Sequence, residues 1–304
     1  MDGGRPMRLG IDWGGTKMEI IALGLDGEER FRKRLPTPRG DYEGCIRTVT
    51  DLVAAAEQAT GQTGTVGLGI PGSLSPATGL VKNANSTWMN GKPLDRDLEQ
   101  ALGRPVRIQN DANCLAVSEA TDGAGAGARI VHAIIIGTGC GSGIAIDGKA
   151  HRGANGIGGE WGNISLPWMR EDEFPGPMCW TGHRGTIDLL CSGTGFQRDY
   201  RDSTGAALTG AQIMERVHAG ERAAQATLER YIGRLGRAMA MVANILDPDV
   251  FVLGGGMSNI PELYAALPAA MQPHIFSDQY DVPIRKAMHG DSSGVRGAAW
   301  LWND

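Results

Sequence analysis

Apolar residues alternate or run together from Arg8 to Trp13, from Met18 to Leu25 and, more thinly, from Glu28 to Leu35, with Asp26-Gly27 separating the last two runs. Alternation broken by an Asp-Gly pair is the pattern of a hairpin. These segments therefore predict a three-stranded meander rather than a βαβ unit. Cys45, Ile46, Val49, Leu52, Val53 and Ala56 then recur at helical spacing, with Asp41 as a candidate N-cap and Gly61 past the end, which predicts a crossover helix. Thr65–Ile70 reads as a buried strand, Asp95–Leu102 as a short helix, and Val106–Gln109 as a strand running into Asn110-Asp111-Ala112-Asn113.

The pattern echoes from Val131. A strand to Ile136 meets the turn Gly137-Thr138-Gly139, a strand follows from Gly143 to Ile146, and Asp147-Gly148 forms a turn. A glycine-rich loop, Gly153 to Gly162, opens an irregular stretch to about Gly195, and a loop of that length is usually functional. Ala223–Leu246 predicts a long amphipathic helix ended by Asp247-Pro248, followed by strand Val250–Leu253 and the turn Gly254-Gly255-Gly256. Strand Val282–Lys286 and a closing helix from about Ser292 to Leu301 complete the chain. Two lobes are the expectation, residues 1–118 with 288–304 forming one and 119–287 the other, joined by a hinge rather than a tether.

Composition narrows the partners. A length of 304 residues suits two lobes, and 41% hydrophobic with 21% charged residues is ordinary for a globular protein. A net charge of -5 gives no footprint for nucleic acid or an anionic bilayer. The basic cluster Arg30, Arg32, Lys33 and Arg34 reads as a solvated strand face. Five cysteines without paired spacing argue against a disulfide framework. No apolar run is long enough to span a membrane, and a cytoplasmic protein is expected.

The candidate chemistry sits in the turns. Asp12-Trp13-Gly14-Gly15-Thr16-Lys17 lies between two hairpin strands, so its glycines can present N–H groups to an anion. A helix would have to follow for a Walker or Rossmann loop. Asp12 is a candidate Mg²⁺ partner, with Thr16 and Lys17 on phosphate oxygens; a plain hairpin turn needs the glycines but none of these three. Gly137-Thr138-Gly139 echoes this turn, and two such turns suggest a clamp on one polyphosphate. Gly254-Gly255-Gly256-Met257 could let a base or ribose approach, though the same triplet serves any tight strand-to-helix turn. Asp111 is a candidate base for a sugar hydroxyl and Asn110 a candidate ligand of its neighbour; either could equally cap the helix that follows. Glu160, among the glycines 158, 159 and 162, could grip sugar hydroxyls or stand on a solvated loop. The six histidines share no spacing with acids or cysteines, which argues against a histidine-based nucleophile.

These motifs resemble the ROK family of sugar kinases and sugar-responsive repressors along essentially the whole chain. The resemblance rests on Asp12–Lys17, Asn110–Asn113, Gly137–Gly139, Gly158–Glu160 and Gly254–Gly256. It implies a two-lobed actin-like ATPase (ribonuclease H-like) α/β fold with a cleft between the lobes. ATP and Mg²⁺ would be cofactors, Gly72, Ser73 and Asn85 would line the sugar pocket, and a homodimer would be the assembly. Within the family, the runs Lys82–Trp88, Asn110–Ala120 and His289–Gly297 most resemble bacterial fructokinases of the manno(fructo)kinase type, which implies fructose, then mannose, as the sugar. Glucokinase or N-acetylhexosamine kinase is the alternative, and a sugar-binding regulatory protein with little catalysis the rival class. A repressor's helix-turn-helix would need room ahead of the strand at Arg8.

The chain also departs from the family. Where relatives carry one His and three Cys around a structural zinc and then a sugar-gripping Glu, it has Asn163, Cys179, Thr181, Thr186 and Asp188. Tetrahedral zinc needs its full ligand set, so no structural zinc is expected. Asn163 and Asp188 would line an altered sugar pocket, Asp being shorter than Glu by about 1.5 Å.

Overall fold

The computed structural model describes residues 7–290 and 293–303. The first sheet is built from the predicted meander, β1 (Met7–Trp13), β2 (Lys17–Leu23) and β3 (Glu29–Pro36), joined through α1 (Tyr42–Thr60) to β4 (Gly64–Ile70). The short pair β5 (Ser73–Leu74) and β6 (Val81–Lys82), helix α2 (Leu94–Leu102), β7 (Val106–Asn110) and α3 (Asp111–Thr121) follow. Asp41 caps α1 by accepting from the Gly44 N–H, and Gly61 ends it in the left-handed conformation, as the sequence predicts. The strand order is β3-β2-β1-β4-β7, antiparallel within the meander and parallel beyond it.

The echo in the sequence is an echo in topology. Strands β8 (Ile130–Ile136), β9 (Cys140–Ile146) and β10 (Lys149–Ala150) are followed by α4 (Ile187–Cys191), α5 (Gly193–Thr204), α6 (Gly210–His218) and α7 (Arg222–Leu246). Then come β11 (Val250–Gly254), α8 (Pro261–Met271), β12 (Ile284–Lys286) and α9 (Ser293–Trp300). The second sheet has the order β10-β9-β8-β11-β12, the first order repeated. Helices α5, α6 and α8 stand where the hydrophobic pattern predicts no element. Of the closing segment, Asp291 and Ser292 lie outside the described residues.

By contacts the described chain divides into two compact units. One holds the chain through Arg129, Gly143–Gly158 and the segment from Met288; the other holds Ile130–Ser142 and Gly159–Ala287. The first unit thus includes 119–129 and 143–158 besides the segments anticipated for it. Its sheet packs α1 on one face and α9 on the other. Helix α9 approaches so closely that Gly10 and Gly67, paired in register on β1 and β4, face its backbone with no room for a Cβ. In the second unit, Ile134, Ile136, Phe251 and Leu253 pack with Phe196, Tyr231, Leu235 and Leu263 in one core. Among the described residues no helix is long and apolar enough to cross a membrane.

The basic strand face is not simply solvated. Glu19, buried on β2 directly opposite Arg34, bonds Arg32 and Arg34, each at 2.8 Å. A buried carboxylate needs such partners, and those cations therefore serve the sheet.

Candidate active site

In the first unit, Asp12 ends β1 beside the turn to β2. Gly14 N–H donates to Lys17 O at 3.0 Å, closing the turn. Thr37 holds it from the end of β3: its N–H donates to Thr16 O at 3.0 Å and its hydroxyl to Gly14 O at 2.7 Å. Thr37 is buried and lies between Pro36 and Pro38. Sequence reasoning passed over it, although a lone hydroxyl between two prolines was a signal. Gly15 is half-buried, while Thr16 and Lys17 are exposed, as a loop meeting an anion would be.

Burial, with Asp111 and then Glu19 nearby, pushes the Asp12 carboxyl up to about 7. Asp12 and Asp111 are the carboxylates that could hold a divalent cation here. Asn110 is the N-cap of α3: its oxygen accepts from Ala112 N–H at 2.9 Å and its amide donates to Gly72 O at 3.3 Å. Asp111 Oδ1 accepts from the same Ala112 N–H at 2.8 Å. Asn110 therefore takes the capping role and links the strand end to Gly72, which turns at φ 103°. Ser73 lies on β5 opposite Lys82, and Asn85 is exposed just beyond.

In the second unit, the glycine turn is closed by Gly137 N–H to Gly139 O at 2.9 Å. Strand β9 begins at Cys140, three residues before the predicted Gly143; Cys140 is buried and its N–H bonds Asp188 Oδ1 at 2.7 Å. Beside the turn opens a cavity of about 690 Å³ lined by Thr138, Thr194, Met214, Gly256, Met257 and Ile260. The third glycine segment, Gly254 to Met257, thus reaches the same cavity as the Gly137 turn, with Gly254 buried at its strand end and Gly255 at φ 80°. Thr194, Met214 and Ile260 were not candidates, since the helices bearing the first two were not predicted.

Glu160 is exposed, with Asn163 Nδ2 3.4 Å from its Oε2. The backbone ahead of it is fixed from the core. Ser142 Oγ donates to Gly159 O at 2.7 Å and lies 2.9 Å from His132 Nε2. With its one proton committed, Ser142 must accept from the ring, so His132 carries its proton on Nε2. Burial pushes His132 down to about 3, keeping it neutral.

The residues at the zinc-loop positions do not fit a zinc ion. Cys179 is the one soft ligand, and its sulfur lies 2.8 Å from the Thr181 hydroxyl. Among the described residues no cluster of three or more His, Cys, Asp or Glu is disposed to hold a metal. The loop is held by other means: Leu166 N–H donates to Gly185 O and Ile187 N–H to Ile164 O. Glu173, buried, bonds Arg237 at 2.6 Å and Arg234 at 3.0 Å.

Residues 8–304 match the ROK family. The chain belongs to that family. Similar proteins include the N-acetyl-D-glucosamine kinases of Haemophilus influenzae, 40% identical, and Pasteurella multocida, 41% identical, each over 97% of this chain and 99% of the relative. Among solved structures, a ROK hexokinase from Thermus thermophilus matches with a TM-score of 0.86 at 29% identity over 97% of both chains. A ROK glucokinase from Streptomyces griseus, in complex with glucose and AMPPNP, matches with a TM-score of 0.75 at 27% identity, covering 97% of this chain and 98% of its own. The repeated sheet order and these neighbours identify the ROK chain as α/β, of the actin-like ATPase fold.

Proposed function

We propose that this protein is an ATP-dependent carbohydrate kinase whose acceptor is N-acetyl-D-glucosamine. The kinase reading is supported by membership of the ROK family together with the retained Asp12, Lys17 and Asp111. The acceptor rests on one observation: relatives 37% to 41% identical along nearly the whole chain are N-acetyl-D-glucosamine kinases. Fructose, expected from three short runs of sequence, gives way to the N-acetylhexosamine alternative, since a likeness along the whole chain outweighs short segments.

Asp111 takes the proton from the attacking sugar hydroxyl as it meets the γ-phosphorus. The sugar is oriented by Glu160 and Asn163, with Asn110, Gly72, Ser73 and Asn85 at the other segment. Gly14 to Lys17 and Gly137 to Gly139 hold the phosphates, and the cavity beside Met257 takes the adenosine. Mg²⁺ near Asp12 would neutralise phosphate charge. No structural zinc belongs to this reading.

The test is ADP release from Mg-ATP with N-acetylglucosamine, glucose, mannose and fructose, using Asp111→Asn as the blank. N-acetylglucosamine should lead. Fructose in front would overturn the acceptor, and sugar binding without turnover would favour the regulatory reading.

A further inference from the structure

Asp188 occupies the position where the family resemblance implies a sugar ligand, and one of its two carboxylate oxygens is engaged within the unit. The carboxylate Oδ1 accepts the Cys140 N–H at 2.7 Å, at the residue that follows the glycine turn. The same oxygen would lie 2.8 Å from a Cβ placed on Gly139, so turn and carboxylate fit each other only because residue 139 has no side chain. Two further bonds converge on the turn: Gly193 N–H donates to Gly137 O, and the Thr194 hydroxyl to Thr138 O, both at 2.8 Å. The turn is thus fixed at Gly137, Thr138 and Cys140 from α4 and α5.

We propose that Asp188 is a positioning residue for the phosphate-side turn. The inference rests on the kinase reading. Glycines alone leave a turn free to rearrange, while donors that stabilise developing charge act best when set in advance. A carboxylate accepting a backbone N–H makes a charge-assisted bond, stronger than a neutral one, and Asp188 supplies it from outside the turn.

Calorimetry on the full chain tests this with two probes, Mg-AMPPNP and N-acetylglucosamine, alongside steady-state kinetics. Asp188→Ala should weaken AMPPNP binding and raise the KM for ATP by roughly 10- to 100-fold, the loss of a hydrogen bond to a charged group. Asp188→Asn, whose amide oxygen can still accept the Cys140 N–H, should recover most of that loss. Loss of sugar affinity with intact AMPPNP binding overturns the proposal, as does equal failure of both variants on both probes. If wild-type protein binds AMPPNP and Asp188→Ala changes nothing, this inference alone fails. A wild type that binds no nucleotide overturns the kinase reading as well.

Discussion

Asp111 combines two demands on one side chain. One oxygen accepts the Ala112 N–H at the start of α3, which fixes the carboxylate at the end of β7, and the charge on that fixed group can take a proton. Asp111→Asn preserves an acceptor for the Ala112 N–H but removes the base. Turnover should fall by roughly 10²- to 10⁴-fold, the usual contribution of general base catalysis, while calorimetry shows sugar binding retained. Full activity would remove Asp111 from the mechanism. The Asp-x-Gly-Gly-Thr-Lys and Asn-Asp motifs were legible in the sequence because a turn's glycines and a cap's acceptor are local requirements. The direction of Asp188 was not, because its partner at Cys140 lies 48 residues away.

At the scale of elements, α7 carries its specificity in Arg230, Arg234 and Arg237, spaced to lie on one helix face. Arg234 bridges Glu173 and Asp199, and Arg230 joins Asp199 at 3.0 Å. Burial alone would raise the Glu173 carboxyl, but hydrogen bonds from Arg237, the Arg170 backbone and Arg234 hold it below its ordinary value. This network anchors the irregular segment in which the family resemblance implies a zinc site. Removing one partner of a buried ion pair leaves uncompensated charge, so Glu173→Ala should cost about 3–5 kcal/mol in urea unfolding. Chelator should leave wild-type stability unchanged. Amphipathic spacing predicted α7 correctly, yet it could not show that three of its arginines face acids of the loop and α5.

At the scale of the whole molecule, the end of the chain returns to the first unit, where Asp122 gathers His289, Arg296 and the Trp300 indole. Glu119, fully buried, accepts from Met288 N–H at 3.0 Å and from the Ser293 hydroxyl at 2.9 Å. The hydrogen bond to Asp122 raises the His289 pKa above 6.5 against the effect of burial, with Asp122 and Glu119 charge favouring the cation and Arg296 opposing it. A raised folded pKa means the stabilisation is complete below the ordinary value and is lost as pH rises through the folded one. The stability advantage of wild type over His289→Gln should therefore be full below the ordinary histidine value of about 6.5 and shrink as pH rises above it. A constant difference in urea midpoints below and above that value would exclude titration of this pair.

The sequence by itself determined the first meander and its two-stranded echo, the crossover helix, the three glycine turns and the family, because alternation, caps and turn residues act over a few positions. Only the tertiary structure decided that Arg32 and Arg34 serve buried Glu19, that α5, α6 and α8 exist, and that Asp188 holds a turn. Helix α8 carries Pro268 in its interior, while α5 opens with Gly193-Thr194-Gly195. Local propensity disfavours both, and packing around one core supplies what propensity lacks.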